Sequence, residues 1–266
     1  MRKTIVTGAI ALAALAAGAF AVGAETVAAF ETEAHPPKRH WHFEGPFGTY
    51  DRAAAQRGYQ VYHDVCSACH SLSLLAYRNL MELGLTENQV KDLIKDIQVP
   101  DLNDDGQPIE RPARLSDRFK RPFPNTAAAA AANNGKAPPD LSVMVKAREE
   151  GPNYLHALLT GYVPFDKLTP KQIKEFDVTK DDNFNKYFPG HKIGMPPPLA
   201  DDKVNYADGT KPTLEQEASD VVEFLAWASE PHMEDRKRTG VRVILFLLAF
   251  AGLLYAVKRQ IWSDKH

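Results

Sequence analysis

Both cysteines of the chain fall within five residues, Cys66-Ser67-Ala68-Cys69-His70, and a histidine follows the second directly. This is the C-x-x-C-H pattern of haem c attachment. The spacing has a physical reason. Two thiols at i and i+3 near a helix end can reach the two vinyl groups of one haem, and His70 can then sit under the iron. Two other chemistries use a close cysteine pair. A thioredoxin-like redox pair requires a βαβ setting, which the flanking sequence lacks. A zinc site of this type requires a second cysteine pair, which the chain does not have. Because both cysteines are used here, no disulfide framework can hold the rest of the fold.

Two apolar runs bracket the chain. Arg2 and Lys3 precede an almost wholly apolar or small stretch from Ile5 to Phe20, and Val22-Gly23-Ala24 fits a cleavage site. Residues 1–24 are therefore expected to be a cleaved signal peptide, with a second possible cut after Ala29. At the other end, Val243 to Val257 is interrupted only by Tyr255, and 240–257 has the length of a single membrane span. Lys258 and Arg259 close it, and Trp262 is placed as an interfacial anchor. The export signal orients this span, with 25–239 outside and a short tail, 258–266, in the cytoplasm.

Composition excludes other classes. With 44% hydrophobic and 25% charged residues, the chain is neither disordered along most of its length nor a polytopic membrane protein. The body 25–239 carries 26 basic against 33 acidic residues, which excludes a nucleic-acid binder of the basic type. An acidic head on a membrane stalk suits a cationic partner or plain solubility.

Periodicity predicts a helix from Asp51 to about Cys66, with Ala54, Gly58, Val61, Tyr62 and Val65 on one face and Asp51 as the cap. Gly58 inside it is consistent with the close approach of another helix, and equally with a glycine that the helix merely tolerates. A second helix starts at Thr213, with Gln216 completing a capping box, and stops at Pro231. The long middle shows little strand signal. Ala127–Ala132 reads as a short helix stopped at Asn133-Asn134-Gly135.

A haem held by His70 needs a second axial ligand. After cleavage the methionines are Met81, Met144, Met195 and Met233. Met81 is too close to His70 to cross the ring easily, and Met233 adjoins the span. Met144 and Met195 remain, with His191 as a non-methionine alternative. Met195 lies in Gly194-Met195-Pro196-Pro197-Pro198, where the prolines stiffen the segment. His35, His40 and His42 gather around Trp41 and read as a solvated segment rather than a metal site. No H-E-x-x-H, G-x-S-x-G or Walker pattern is present.

These residues resemble the cytochrome c1 family, the haem subunits of the ubiquinol–cytochrome c oxidoreductase. The resemblance runs through Gly58 to Arg78, Pro124-Asn125 to Ser142, Tyr187-Phe188-Pro189-Gly190 to Pro197, Asp208-Gly209-Thr210, and Phe224 to Trp262. It implies a mostly α, cytochrome c-like haem domain with long loop insertions and one C-terminal transmembrane helix. It implies one covalent haem c on Cys66 and Cys69, with His70 and Met195 axial. By similarity to small c-type cytochromes, the Pro139 carbonyl would accept the His70 Nδ1–H and Leu141 would pack on the haem. The implied partners are cytochrome b, a Rieske iron–sulfur protein as electron donor and a soluble cytochrome c as acceptor. The implied place is a bacterial inner membrane, crossed once, with the haem domain in the periplasm.

Two features depart from the family pattern. No extra disulfide is possible, and Ala130 stands where mitochondrial relatives carry an arginine toward a haem propionate. Arg118, Arg121 and Lys136 are the candidate replacements. The acidic clusters Asp101, Asp104, Asp105 and Glu110, and Asp181 with Asp182, are candidates for steering a basic cytochrome c. Two other readings stand beside this one. One is a free-standing membrane-anchored cytochrome c that shuttles electrons to an oxidase. The other is a haem enzyme with a displaceable axial site.

Overall fold

The computed structural model describes residues 34–263. The signal peptide expected over 1–24 and the end of the tail, 264–266, lie outside the described residues. Helices dominate: α1 (Arg52–Asp64), α2 (Glu87–Ile94), α3 (Thr126–Ala132), α4 (Gly151–Thr160), α5 (Pro170–Glu175), α6 (Leu214–Ser229) and α7 (Met233–Trp262). The expectation of a mostly α fold with long insertions and a C-terminal apolar helix holds. The strands are short. β1 (Gln98–Leu102) and β2 (Pro108–Pro112) form an antiparallel hairpin in which Gln98 faces Pro112 and Leu102 faces Pro108. β3 (Tyr162–Val163), β4 (Asn183–Asn185) and β5 (Lys192–Ile193) follow one another in a second sheet. None of the five is legible in the sequence: prolines and charges interrupt any alternation in β1 and β2, and β3, β4 and β5 are only two or three residues long.

The chain forms two compact units. The larger holds 36–162 and the stretch from 194 onward, and its core is the packing of α1 on α6. Asp51 caps α1 by accepting from the Ala54 N–H at 3.1 Å. The helix buries Ala55, Gly58, Tyr59, Val61 and Tyr62, and Val65 just past its end packs half-buried on the same core, so Ala55 and Tyr59 join the expected face while Ala54 stays half-buried. Gly58 is the crossing point. A Cβ there would lie 1.9 Å from the Asp220 carbonyl oxygen and 2.7 Å from the Phe224 Cβ. Only glycine lets the two backbones come this near. Tyr59 and Tyr62 each pack against both Phe224 and Phe119 at centroid distances of 5.7 to 6.2 Å, a favourable range for aromatic pairs.

Helix α6 departs from the sequence reading in two ways. Thr213 Oγ1 accepts from the Gln216 N–H at 3.2 Å, but the Gln216 side chain turns to Asp220 at 3.0 Å instead of back to the cap. Only half of the expected capping box is made. The helix is also buried almost all round, because α1 and α4 both pack on it. Glu217, Asp220 and Glu223 are buried with it. Asp220 is held by Arg57 through two bonds of 2.9 Å, and Arg57 also reaches Asp208 at 3.2 Å. Glu217 accepts from the Val204 N–H and Glu223 from the Asp51 N–H, each at 2.9 Å. A buried carboxylate costs several kcal/mol unless it is met in this way.

The segment around Trp41 is not simply solvated. Trp41 is buried, donates to Asn153 Oδ1 at 2.9 Å, and packs against Phe43 and His156. His40 and His42 stay exposed beside it, and no group of three metal-ligating side chains forms among the described residues.

Helix α7 is long and apolar enough to span a membrane. It starts at Met233 rather than at Gly240, because its first turns belong to the head. Met233 is buried in the main core. Glu234 accepts from the Tyr50 N–H at 2.9 Å and from Arg52, and Lys237 donates to the carbonyls of Phe43 and Gly48 at 2.6 and 3.0 Å.

The smaller unit, 163–193, has its own core of Leu168, Val178 and Phe184. β4 and β5 pair antiparallel, Asn183 opposite Ile193. His191 is buried there, stacked on Phe184 and edge-on to Phe176, with Nδ1 3.0 Å from the Asn185 carbonyl.

Candidate functional site

The C-x-x-C-H segment begins where α1 ends. Val65 closes the last turn on the Val61 carbonyl, and Cys66–Ala68 tightens into a 3₁₀ turn. The N–H groups of Cys69 and His70 both donate to the Cys66 carbonyl, at 3.1 and 2.8 Å. A 3₁₀ turn has three residues per turn, so side chains three apart stand on the same side. Cys66 opens the turn and Cys69 caps it three positions on, with the histidine just past them. Ser67 Oγ donates to the His63 carbonyl at 2.6 Å and ties the turn to its helix. No disulfide joins Cys66 to Cys69. Burial, with Cys69 nearby, pushes the Cys66 thiol up to about 12. A thiol activated for disulfide exchange carries the opposite shift.

His70 is oriented from two sides. Tyr62 donates its hydroxyl to the His70 carbonyl at 3.1 Å, and His70 Nδ1 lies 2.8 Å from the Pro139 carbonyl oxygen. A carbonyl can only accept, so Nδ1 carries the hydrogen and Nε2 keeps its lone pair. Burial lowers the imidazole pKa, against the opposing pull of the Pro139 carbonyl and Asp140. The ring therefore favours the neutral form, the form that can ligate a metal. A ligating histidine requires such an acceptor on its other nitrogen.

The acceptor strand is itself clamped, by a residue the sequence reading passed over. Asp140 accepts from Ser71 Oγ at 2.8 Å and from the Ser73 N–H at 2.9 Å with one oxygen, and from the Ser142 N–H at 2.8 Å with the other. Burial alone would raise its pKa, but the Ser142 and Ser73 hydrogen bonds outweigh that and hold it at about 2. The Leu141 N–H donates to the Ser71 carbonyl at 2.9 Å, and the Leu141 side chain is buried in the main core. Residues 139–142 are thus stapled along 70–74. The Pro-Pro-Asp run was the available signal, since an aspartate flanked by serines in a stiff segment is a ready local acceptor.

The methionines separate by environment. Met144 is buried among the apolar residues of the main core, and Met233 at the head of α7 is likewise buried. Met81 is more than a third exposed on a 3₁₀ turn. Met195 is half-buried in the proline-rich loop, and its carbonyl accepts from the Tyr162 hydroxyl at 3.1 Å. His191 sits in the small aromatic core already described.

The three cations considered for Ala130's missing partner also separate. Arg118 is spent on the carbonyls of Ser73 and Leu74. Arg121 lines a cavity of about 240 Å³ with Tyr59, Tyr62, Tyr77 and Phe119. Lys136 lies over Gly194. In the acidic hairpin, Asp101 is taken up by Arg111, while Asp104, Asp105 and Glu110 remain exposed.

The family model described as the Cytochrome C1 family matches residues 41–265. A cytochrome c1 of Rhodospirillum rubrum is 46% identical over 240 residues, covering 86% of this chain and 88% of that protein. A protein of Candida albicans named cytochrome b-c1 complex catalytic subunit is 43% identical over 238 residues, covering 89% and 81%. A protein of Bradyrhizobium diazoefficiens named cytochrome b/c1 is 45% identical over 260 residues, 90% of this chain, and this chain spans 37% of its length. With the match running from Trp41 through the membrane helix, this chain belongs to the cytochrome c1 family.

Proposed function

We propose that this chain is the haem-bearing electron-transfer subunit of a ubiquinol–cytochrome c oxidoreductase. It binds one haem c covalently through Cys66 and Cys69, with His70 and Met195 as axial ligands. It takes electrons from a Rieske iron–sulfur protein and passes them to a soluble cytochrome c. Residues 1–24 are removed on export, 25–239 form the periplasmic head, 240–257 cross a bacterial inner membrane, and 258–266 end in the cytoplasm. Cytochrome b is the membrane neighbour. The name of the Bradyrhizobium relative, which joins b and c1, supports that pairing.

The observation that carries the reading is the 2.8 Å approach of His70 Nδ1 to the Pro139 carbonyl, directly after the turn that Cys66 opens and Cys69 caps. When bound, haem supplies a one-electron couple. The chain's own residues supply the rest. Two thiols would fix the group in place, His70 presents Nε2, and the Pro139 carbonyl fixes the ring's tautomer. The loop around Met195, stiffened by three prolines and held by Tyr162, can present a weak thioether with little freedom to move. His/Met ligation raises the potential of a c-type site, as an electron carrier to a soluble cytochrome requires.

The test is the optical spectrum and redox titration of the purified membrane protein, wild type against Met195→Leu. Loss of the far-red methionine–iron charge-transfer band, together with a large fall in potential, is the expected result. An unchanged spectrum and potential would make Met195 a packing residue.

A further inference from the structure

We propose that Lys136 is a positioning residue that raises the reduction potential of the site by holding its ammonium against the Met195 loop. This rests on the reading of Met195 as an axial ligand.

The local fold delivers Lys136 to that place. After α3 the chain reverses through Asn134 and Gly135, both with left-handed φ, 51° and 80°. The Gly135 N–H donates to the Ala130 carbonyl at 2.8 Å and the Lys136 N–H to the Asn133 carbonyl at 3.0 Å, closing the turn. The Lys136 side chain then crosses Gly194. A Cβ built at Gly194 would lie 2.5 Å from Lys136 Cδ, 3.5 Å from Nζ and 3.6 Å from Cε. The lysine stem thus occupies the volume a side chain at 194 would fill, and the residue after Gly194 is Met195. Its ammonium makes no hydrogen bond or ion pair among the described residues.

The same short segment serves both candidate ligands. Lys136 touches the methionine loop, and three residues later Pro139 places its carbonyl on His70. Three extended residues span roughly 10 Å. A neutral dipole is supplied at the histidine end and a full positive charge at the methionine end. Adding one electron makes the site more negative by one charge, so a nearby cation favours the reduced form. Helix α3 offers no cation of its own, being alanine after Thr126. Lys136 is exposed, so solvent and salt screen its charge and the effect is modest.

The experiment compares wild type with Lys136→Met, Lys136→Gln and Lys136→Arg as purified, haem-loaded full chain, reading the far-red methionine band and the midpoint potential at low and high salt. Met keeps the stem and removes the charge, while Arg keeps the charge. With the band intact, Met and Gln are expected to shift the ferric/ferrous equilibrium toward ferric by about two- to fivefold, roughly 20 to 40 mV at 59 mV per tenfold. Arg should hold the wild-type potential, and the gap should shrink as salt rises. An unchanged potential in Lys136→Met with the band intact would overturn the proposal and leave the lysine as a cover for Gly194. Absence of the band in the wild type would instead overturn the ligation reading, and this inference with it.

Discussion

The imidazole Nδ1 of His70 and the carbonyl oxygen of Pro139 lie 2.8 Å apart although they are 69 positions apart in the chain. The bond is backbone on one side, so no side-chain substitution removes the acceptor. What can be removed is the support. Asp140 ties the acceptor strand to the Ser71–Ser73 stretch through one carboxylate oxygen and braces its own strand at the Ser142 N–H with the other. Asp140→Asn puts an amide donor against groups that are themselves donors. The expected cost is about 1–3 kcal/mol of stability. Thermal unfolding checks this, and a pyridine haemochrome assay is expected to show reduced haem content. A variant with full stability and full haem content would mean the strand is held by Leu141 and its neighbours alone.

Gly58 sets the distance between α1 and α6. In Gly58→Ala the new methyl meets the Asp220 carbonyl, a backbone atom that cannot swing away. The helices must separate, and the expected loss is about 2–4 kcal/mol, at or above the usual range for overpacking. Chemical denaturation of the purified protein reads this directly. A loss under about 0.5 kcal/mol would contradict the observed approach.

Glu223 gives stability a pH dependence. Burial, then the nearby Asp51 and Asp220 charges, push its carboxyl up to about 7 from an ordinary 4.5. The folded pKa lies above the unfolded one, so the group favours the folded state when protonated. That contribution is complete below about pH 4.5 and is lost as pH rises to about 7. By linkage it amounts to roughly 3 kcal/mol at most. Glu223→Gln keeps an oxygen for the Asp51 N–H and removes the titration. Its melting temperature should vary less between pH 5 and 7 than that of the wild type, and at pH 8 it should equal or exceed it. Parallel profiles for the two proteins would show that Glu223 does not titrate in this window.

Electrostatic steering of a basic cytochrome c predicts that electron delivery slows as salt rises from low to moderate ionic strength. The hairpin acids left exposed, Asp104, Asp105 and Glu110, are the groups to neutralise. Asp104→Asn with Asp105→Asn should flatten the salt slope measured by stopped flow. Asp101, already paired with Arg111, should contribute less. A wild-type rate independent of salt would remove the steering role from the whole acidic head.

The local features were legible in the chain before folding. The C-x-x-C-H turn, the Asp51 and Thr213 caps, the short alanine helix and the apolar run of α7 all depend on spacings of a few residues. Interactions at i+3 and i+4 are written into the order of side chains. Contacts across long separations were not legible. Each acid of α6 reads in isolation as a solvent-facing residue, and only the packing of α1 and α4 around the helix buries Glu217, Asp220 and Glu223. Asp140 looked like one residue of a stiff loop until the 70–74 stretch came beside it. Gly194 and Lys136, 58 positions apart, carry no shared local signal, and their contact exists because two loops return to the same place. Local order is decided by neighbours along the chain. Burial, charge pairing and the surroundings of His70 are decided by which distant segments exclude water together, a property of the folded whole.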